Sequence, residues 1–133
     1  AGPTGSDDSE WAEAGAPLRE AAVLVPIVWH AATPAILLTL RAADLSAHAG
    51  QVAFPGGRVD PEDGGPVAAA LREAQEEVAL DPAEVEVIGT TDGYETGTGY
   101  AITPVVGLIR PDLPLVPAEA EVASLFEVPL AHL

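Results

Sequence analysis

The stretch "ALREAQEEVAL" (residues 70–80) decides how the rest of the chain is read. It places Glu73, Glu76 and Glu77 close together, with Arg72 beside them. On a helix, successive residues turn by about 100°. With Glu73 at zero, Glu77 lies about 40° to one side and Glu76 about 60° to the other, while Val67, Leu71, Ala74 and Val78 cluster about 100–160° round. An apolar stripe then faces the core, and the three carboxylates share the opposite face. The simplest reading of such a face is a solvated one. Yet like charges at i, i+3 and i+4 repel by roughly a few tenths of a kcal/mol per pair. Arg72 lies off to one side and relieves this poorly. A hard divalent cation such as Mg2+ or Mn2+, which takes carboxylate oxygens, would relieve it directly.

Working outward, the helix is expected over about 66–79. Pro66 suits a first turn, where a missing N–H costs nothing, and Pro82 disfavours helix just before it. Upstream, "FPGGRVD" (54–60) leads into the helix, and its two glycines allow close backbone approach. Strands are expected near 21–29 and 35–41, the second buried on both faces or nearly so, with a short extended piece at 51–54. Further strands are expected at 83–90, 101–109 and 121–130. Pro104 inside one of them predicts an edge or a bulge. The pattern is α+β with a mixed sheet, without internal repeats. Trp29 and Phe54 are assigned to the core. His48 is assigned as a loop hydrogen-bonder. Tyr94 and Tyr100 flank a glycine-rich loop, where they either stack on an adenine or serve as core or rim residues.

The bulk numbers narrow the function. A chain of 133 residues with 48% hydrophobic content suits one domain with a real core. No apolar run approaches the ~18 residues of a membrane-spanning helix. Residues 1–19 have no signal-peptide order and read as a flexible lead-in to a domain over 20–133. The chain has no cysteine, which excludes disulfides and thiolate metal sites and makes a cytoplasmic enzyme the default. It has no methionine either, as expected of a processed or partial gene product. The net charge of −16 comes from 21 acids against five arginines, and such a field repels nucleic-acid backbones. No nucleic acid and no membrane are therefore expected as partners. A small anionic ligand would need metal ions or arginines at its site.

The run "GRVDPEDGGPVAAALREAQEEVAL" (57–80) resembles the Nudix box, G-x5-E-x7-R-E-U-x-E-E-x-G-U with U apolar. Gly57 matches its first glycine, and Arg72, Glu73, Ala74, Glu76, Glu77 and Leu80 match its second half. Three departures stand out: Asp63 at the first Glu, a spacer one residue longer before Arg72, and Ala79 at the final glycine. Upstream, "LLTLRAADLSAHAGQVAFPGG" (37–57) is similar to the signature of the coenzyme A diphosphatase branch, through Leu37, Leu38, Thr39, Arg41, Gly50, Val52, Phe54, Pro55, Gly56 and Gly57. Ser46 stands where that signature has a second arginine, and Ala42 also departs from it. The resemblance covers about 20–133. Chains of the family usually continue past the position of Leu133 with a further helix, so a truncated or shortened member is implied.

The resemblance implies a Nudix α/β/α sandwich with a mixed sheet. It also implies metal-dependent hydrolysis of a nucleoside diphosphate linked to another group. Coenzyme A, cleaved to 3′,5′-ADP and 4′-phosphopantetheine, is the first candidate. ADP-ribose, a dinucleoside polyphosphate, or a nucleotide-binding module without turnover are the alternatives. Glu73, Glu76 and Glu77 would hold Mg2+ or Mn2+. Arg72 would tie the helix to a loop carboxylate within the catalytic site. The general base is left between Glu76, Glu95 and Glu121. Arg41, Gly56, Gly57 and Arg58 would face the substrate. The partner is a small nucleotide diphosphate, and a homodimer stays open.

Overall fold

The computed structural model describes residues 17–42 and 50–132. Eight strands form one sheet: β1 (Arg19–Val28), β2 (Ala35–Arg41), β3 (Val52–Ala53), β4 (Gly56–Arg58), β5 (Glu86–Thr90), β6 (Tyr94–Glu95), β7 (Tyr100–Ile109) and β8 (Val122–Pro129). The main order is β3-β2-β1-β7-β5, with β4 joined to β1, β6 to β7 and β8 to β2. β1 and β7 run parallel, from Arg19 opposite Tyr100 to Val28 opposite Ile109, and the other pairs are antiparallel. The sheet is therefore mixed and the class α+β, as the pattern of elements predicted.

Helix α1 (Pro66–Val78) is the one α-helix among the described residues. It starts with Pro66 in its first turn and packs on one face of the sheet. Ala69, Ala70, Ala74 and Val78 meet Ala22, Leu24, Val28, Leu37, Val105 and Ile109 to form the core. Small alanines let the helix sit close to the sheet, and the alternation Ala22, Leu24, Val28 marks the face of β1 that turns to it. The helix ends before the proline at 82. Ala79 is in the left-handed conformation, φ 60°, and Leu80 N–H reaches back to the Ala74 carbonyl. With Ala79 N–H donating to the Gln75 carbonyl at 3.0 Å, this is an αL end, a position that favours glycine.

Several sequence expectations are corrected. Pro104 lies on β7, an interior strand, and the register irregularity of the β5–β7 pair falls between Val87 and Gly89 instead. The Pro104 carbonyl accepts from Thr91 N–H, in the gap between the β5 and β6 pairings. In a parallel-paired strand a residue's N and O point the same way, so the missing N–H also faces that gap and breaks no ladder bond. The strand expected at 35–41, buried on both faces or nearly so, is β2: Ala35, Leu37 and Thr39 are buried, and the residues between them are half-buried. The strand expected at 83–90 begins at Glu86, because Pro82–Glu84 form a 3-10 turn capped by the Asp81 side chain. Trp29, assigned to the core, is 59% exposed, since it follows the last residue of β1.

Candidate active site

Strand β4 brings Gly56 and Gly57 under α1. A Cβ on Gly57 would lie 2.5 Å from a Glu73 carboxylate oxygen, so the glycine makes room for that carboxylate. The Gly56 N–H donates to Glu77, and the Glu73 and Glu77 carboxyls hydrogen-bond each other. Glu77 is only 7% exposed. This corrects the view of three carboxylates on a solvated face. The buried arc of α1 is wide enough to include Glu77, because β4 covers the helix beyond the apolar stripe. Burial and the neighbouring Glu73 push the Glu77 carboxyl up to about 8, and burial raises that of Glu73 as well. Two carboxyls holding a proton between them mark a place where positive charge is wanted.

Arg72 organises the flank of this pair. It makes a bidentate pair with Asp63, at 2.8 Å from Nε and 2.9 Å from Nη2, and donates to the Arg58 carbonyl at 3.1 Å. It also lies 3.2 Å from Glu73, 3.5 Å from Glu76 and 3.4 Å from Asp60. The guanidinium holds Asp63 well below the usual carboxylate range. Asp63 in turn accepts from the Asp60 N–H, which closes the 3-10 turn Pro61–Asp63. Arg72 therefore locks the loop to the helix. Asp63 is its principal partner, although the sequence marked it only as a departure from the box. Within the longer spacer, Gly64 and Gly65 both take positive φ, 78° and 146°.

The remaining candidates fall in two places. Glu121 is near enough to Glu77 to raise its pKa, and the Glu77 carbonyl accepts from Ala118 N–H just before it. Glu95 is exposed on β6, on the far side of β7 from β1. Arg41 and Arg58 line a cleft of about 780 Å³, together with Gly56, Gly57, Phe54, Tyr94, Tyr100 and the Thr96–Gly97–Thr98 tip. The Nε of Arg41 is buried without a hydrogen-bond partner. Among the described residues lining this cleft there is no aspartate or glutamate. Phe54 is half-buried at the cleft wall, not in the core cluster. Its position immediately before the Pro-Gly-Gly turn was the signal for that role. Ser46 and His48 lie outside the described residues.

Among the described residues, no three histidine, aspartate or glutamate side chains converge as a ready-made metal cage, since Glu76 is turned toward Arg72. The donors nonetheless fit a hard divalent cation. They are oxygens only, the buried Glu77 and the half-buried Glu73 stand side by side, and the proton that Glu77 retains is what a cation would displace.

The NUDIX domain family model matches residues 18–132, and the chain belongs to this family. It is 59% identical over 114 residues to the uncharacterized Nudix hydrolase NudL of Cronobacter sakazakii, covering 86% of this chain and 59% of that protein. The NudL of Escherichia coli K12 is 58% identical over the same coverage. The chain thus spans about three fifths of the length of these curated relatives. Among solved structures, the Nudix hydrolase RenU of M. smegmatis superposes with TM-score 0.74 at 29% identity, covering 88% of this chain and 76% of that one. A C. elegans Ap4A hydrolase gives 0.70 at 22% identity, covering 86% and 82%. The NUDIX domain of Shewanella oneidensis NrtR, in complex with ADP ribose, gives 0.64 at 22%, covering 90% and 78%. The last two bear on the fold, which is that of the Nudix sandwich. No described helix is long and apolar enough to cross a membrane.

Proposed function

We propose that this domain hydrolyses a nucleoside diphosphate linked to a second group, and that coenzyme A or a derivative is the first candidate. One observation carries the reading. In a chain with 21 acids and five arginines, the described lining of the 780 Å³ cleft contains two arginines and no acid, and Gly57 of that lining abuts Glu73 while Gly56 donates to the buried Glu77. An anion is drawn to one side of β4, and cation-seeking carboxylates wait on the other.

Glu73, Glu76 and Glu77 would hold Mg2+ or Mn2+, which when bound neutralises phosphate charge and lowers the pKa of a water. Arg41 would meet the phosphates, its buried Nε supplying an unused donor. Arg58, exposed on β4 opposite Ala21, would face the same chain of phosphates. Gly56 and Gly57 keep the backbone close to both ligand and carboxylates. Arg72 is a positioning residue that fixes Glu73 and Glu76 against the loop. Glu76 and Glu121 are the general-base candidates nearest this centre, and Glu95 on the opposite wing is the remaining one. The base accepts a proton from water as it attacks one phosphorus; the anhydride oxygen leaves with the other. For coenzyme A the products are 3′,5′-ADP and 4′-phosphopantetheine.

The coenzyme A assignment rests on the resemblance through Leu37–Thr39, Arg41 and the 50–57 segment. Ser46 in place of an arginine favours the second reading, a Nudix hydrolase of ADP-ribose or a dinucleoside polyphosphate. The experiment incubates the protein with coenzyme A, ADP-ribose and diadenosine polyphosphates in Mg2+ or Mn2+, with chelator and Glu77→Gln controls, and separates the products. Coenzyme A cleavage that both controls abolish is expected. Cleavage of only another compound moves the substrate, and no cleavage by folded protein leaves a nucleotide-binding module.

A further inference from the structure

The chain has two Trp, two Tyr and two Phe, and both tyrosines and Phe54 line the same cleft. Aromatic rings are scarce here and they are concentrated. Tyr94 is the most exposed of the three, at 52%. It stands on β6 opposite Ile102 of β7. Ile102 pairs in turn with Ala21, on the face of β1 that turns away from α1. Tyr100 lies two residues before Ile102 on the same strand, so the two tyrosines share that face. The Tyr100 ring carries the Arg19 guanidinium 5.9 Å from its centroid, which occupies it with a cation. Tyr94 stands on a two-residue strand outside the core cluster, so its ring is free to meet a ligand in the cleft.

We propose that Tyr94 is a specificity-determining contact, the platform on which the heteroaromatic base of the ligand stacks. This rests on the nucleotide reading above and deepens it. A nucleotide presents a flat π face at one end and anionic oxygens at the other. The cleft presents the matching pair: an exposed ring on the β6 wing, and Arg41 and Arg58 elsewhere on its wall. The Thr96–Gly97–Thr98 tip between them holds its own shape, with the Thr96 and Thr98 hydroxyls 2.9 Å apart and Tyr100 N–H donating to Thr96 Oγ1 at 3.1 Å. The tyrosines are thus carried on a preformed hairpin.

The test uses Tyr94→Ala and Tyr94→Phe in the same chain. With whichever nucleotide the wild type cleaves, Tyr94→Ala should raise KM about tenfold and leave kcat within about twofold, while Tyr94→Phe stays near wild type. In parallel, ADP binding in chelator is followed by saturation-transfer NMR. The base protons should receive strong saturation from wild type and Tyr94→Phe and lose it in Tyr94→Ala. An unchanged KM and unchanged base signal in Tyr94→Ala would overturn the proposal. So would a Tyr94→Phe that behaves like Tyr94→Ala, since a hydroxyl and not a ring would then matter. If wild type cleaves nothing, the hydrolase reading fails, and the NMR comparison alone decides this one.

Discussion

Replacing Glu77 by Gln should make the metal-free protein more stable at neutral pH and abolish its hydrolysis. Gln keeps the length of the side chain, can accept from the Gly56 N–H, and can donate to Glu73. It removes an ionisation that the fold resists. The Glu77 carboxyl titrates near 8 instead of 4.5, because it is buried beside Glu73. The folded chain therefore keeps this proton over a pH range in which the unfolded chain has lost it. A carboxyl with a raised folded pKa costs no stability below pH 4.5, and its cost grows as pH rises from 4.5 to about 8. At roughly 1.4 kcal/mol per pH unit, the upper bound at pH 8 is about 5 kcal/mol. Water reaching the partly open site reduces that, and about 1–3 kcal/mol is expected.

In thermal melts with chelator, Glu77→Gln should exceed wild type by roughly 3–10 °C at pH 8, and the gap should close toward pH 5. Saturating Mg2+ or Mn2+ should raise the wild-type Tm, by about 2.7 kcal/mol of stabilisation at a hundred times Kd, and raise the variant far less. A variant no more stable than wild type at pH 8, or a gap that does not depend on pH, would refute the reasoning. Glu77 would then not be the buried acid that sets the tension in the site.

Ala79→Gly should raise Tm by about 2–4 °C, since Ala79 is held at φ 60° where only glycine is unstrained; a lower Tm would show that the left-handed helix end is not formed. Gly57→Ala should cost activity on the order of tenfold or more while circular dichroism stays native, because its Cβ would fall 2.5 Å from the Glu73 carboxylate; full activity would remove Glu73 from the site. Raising NaCl from about 10 to 150 mM should lower KM for an anionic substrate by about twofold, because salt screens the distant acids before it screens arginines in contact with the ligand; a KM that climbs steeply with salt would mean that the field is not repulsive.

Much of this was legible in the sequence, and the reasons differ by element. The helix at 66–79 was readable because Pro66 and the apolar spacing define it locally. β2 was readable at its start because Pro34 stands immediately before it. The burial of Glu77 was not legible. It depends on β4 lying against α1, a contact between segments about twenty residues apart, and helical angles alone carry no information on it. Trp29 and Phe54 were misassigned for a related reason. Aromatic identity argues for the core on average, but a ring that follows a strand end or precedes a Pro-Gly-Gly turn is placed by topology. Pro104 was read as an edge marker because the rule considers both neighbours of a strand, whereas this proline faces a gap between β5 and β6.

The placement of the five arginines gives the charge pattern its meaning. In an acidic chain each could serve as a surface counter-charge, as Arg110 does in its 3.1 Å pair with Glu84. Arg72 is committed to Asp63, Asp60, Glu73 and Glu76, where it fixes acids without neutralising the Glu73–Glu77 pair. Arg19 lies over the Tyr100 ring. Arg41 and Arg58 line the cleft from which acids are absent among the described residues. Glu73 thus has only one edge of a guanidinium shared with three other acids, no arginine acts on Glu77, and two further arginines stand across β4, where a phosphate chain would lie. If Arg72 had neutralised that pair, Glu77 would not sit near 8 and a divalent ion would gain little by entering. Leaving the pair short of charge costs stability in the metal-free protein, and the same shortage gives a cation its reason to bind.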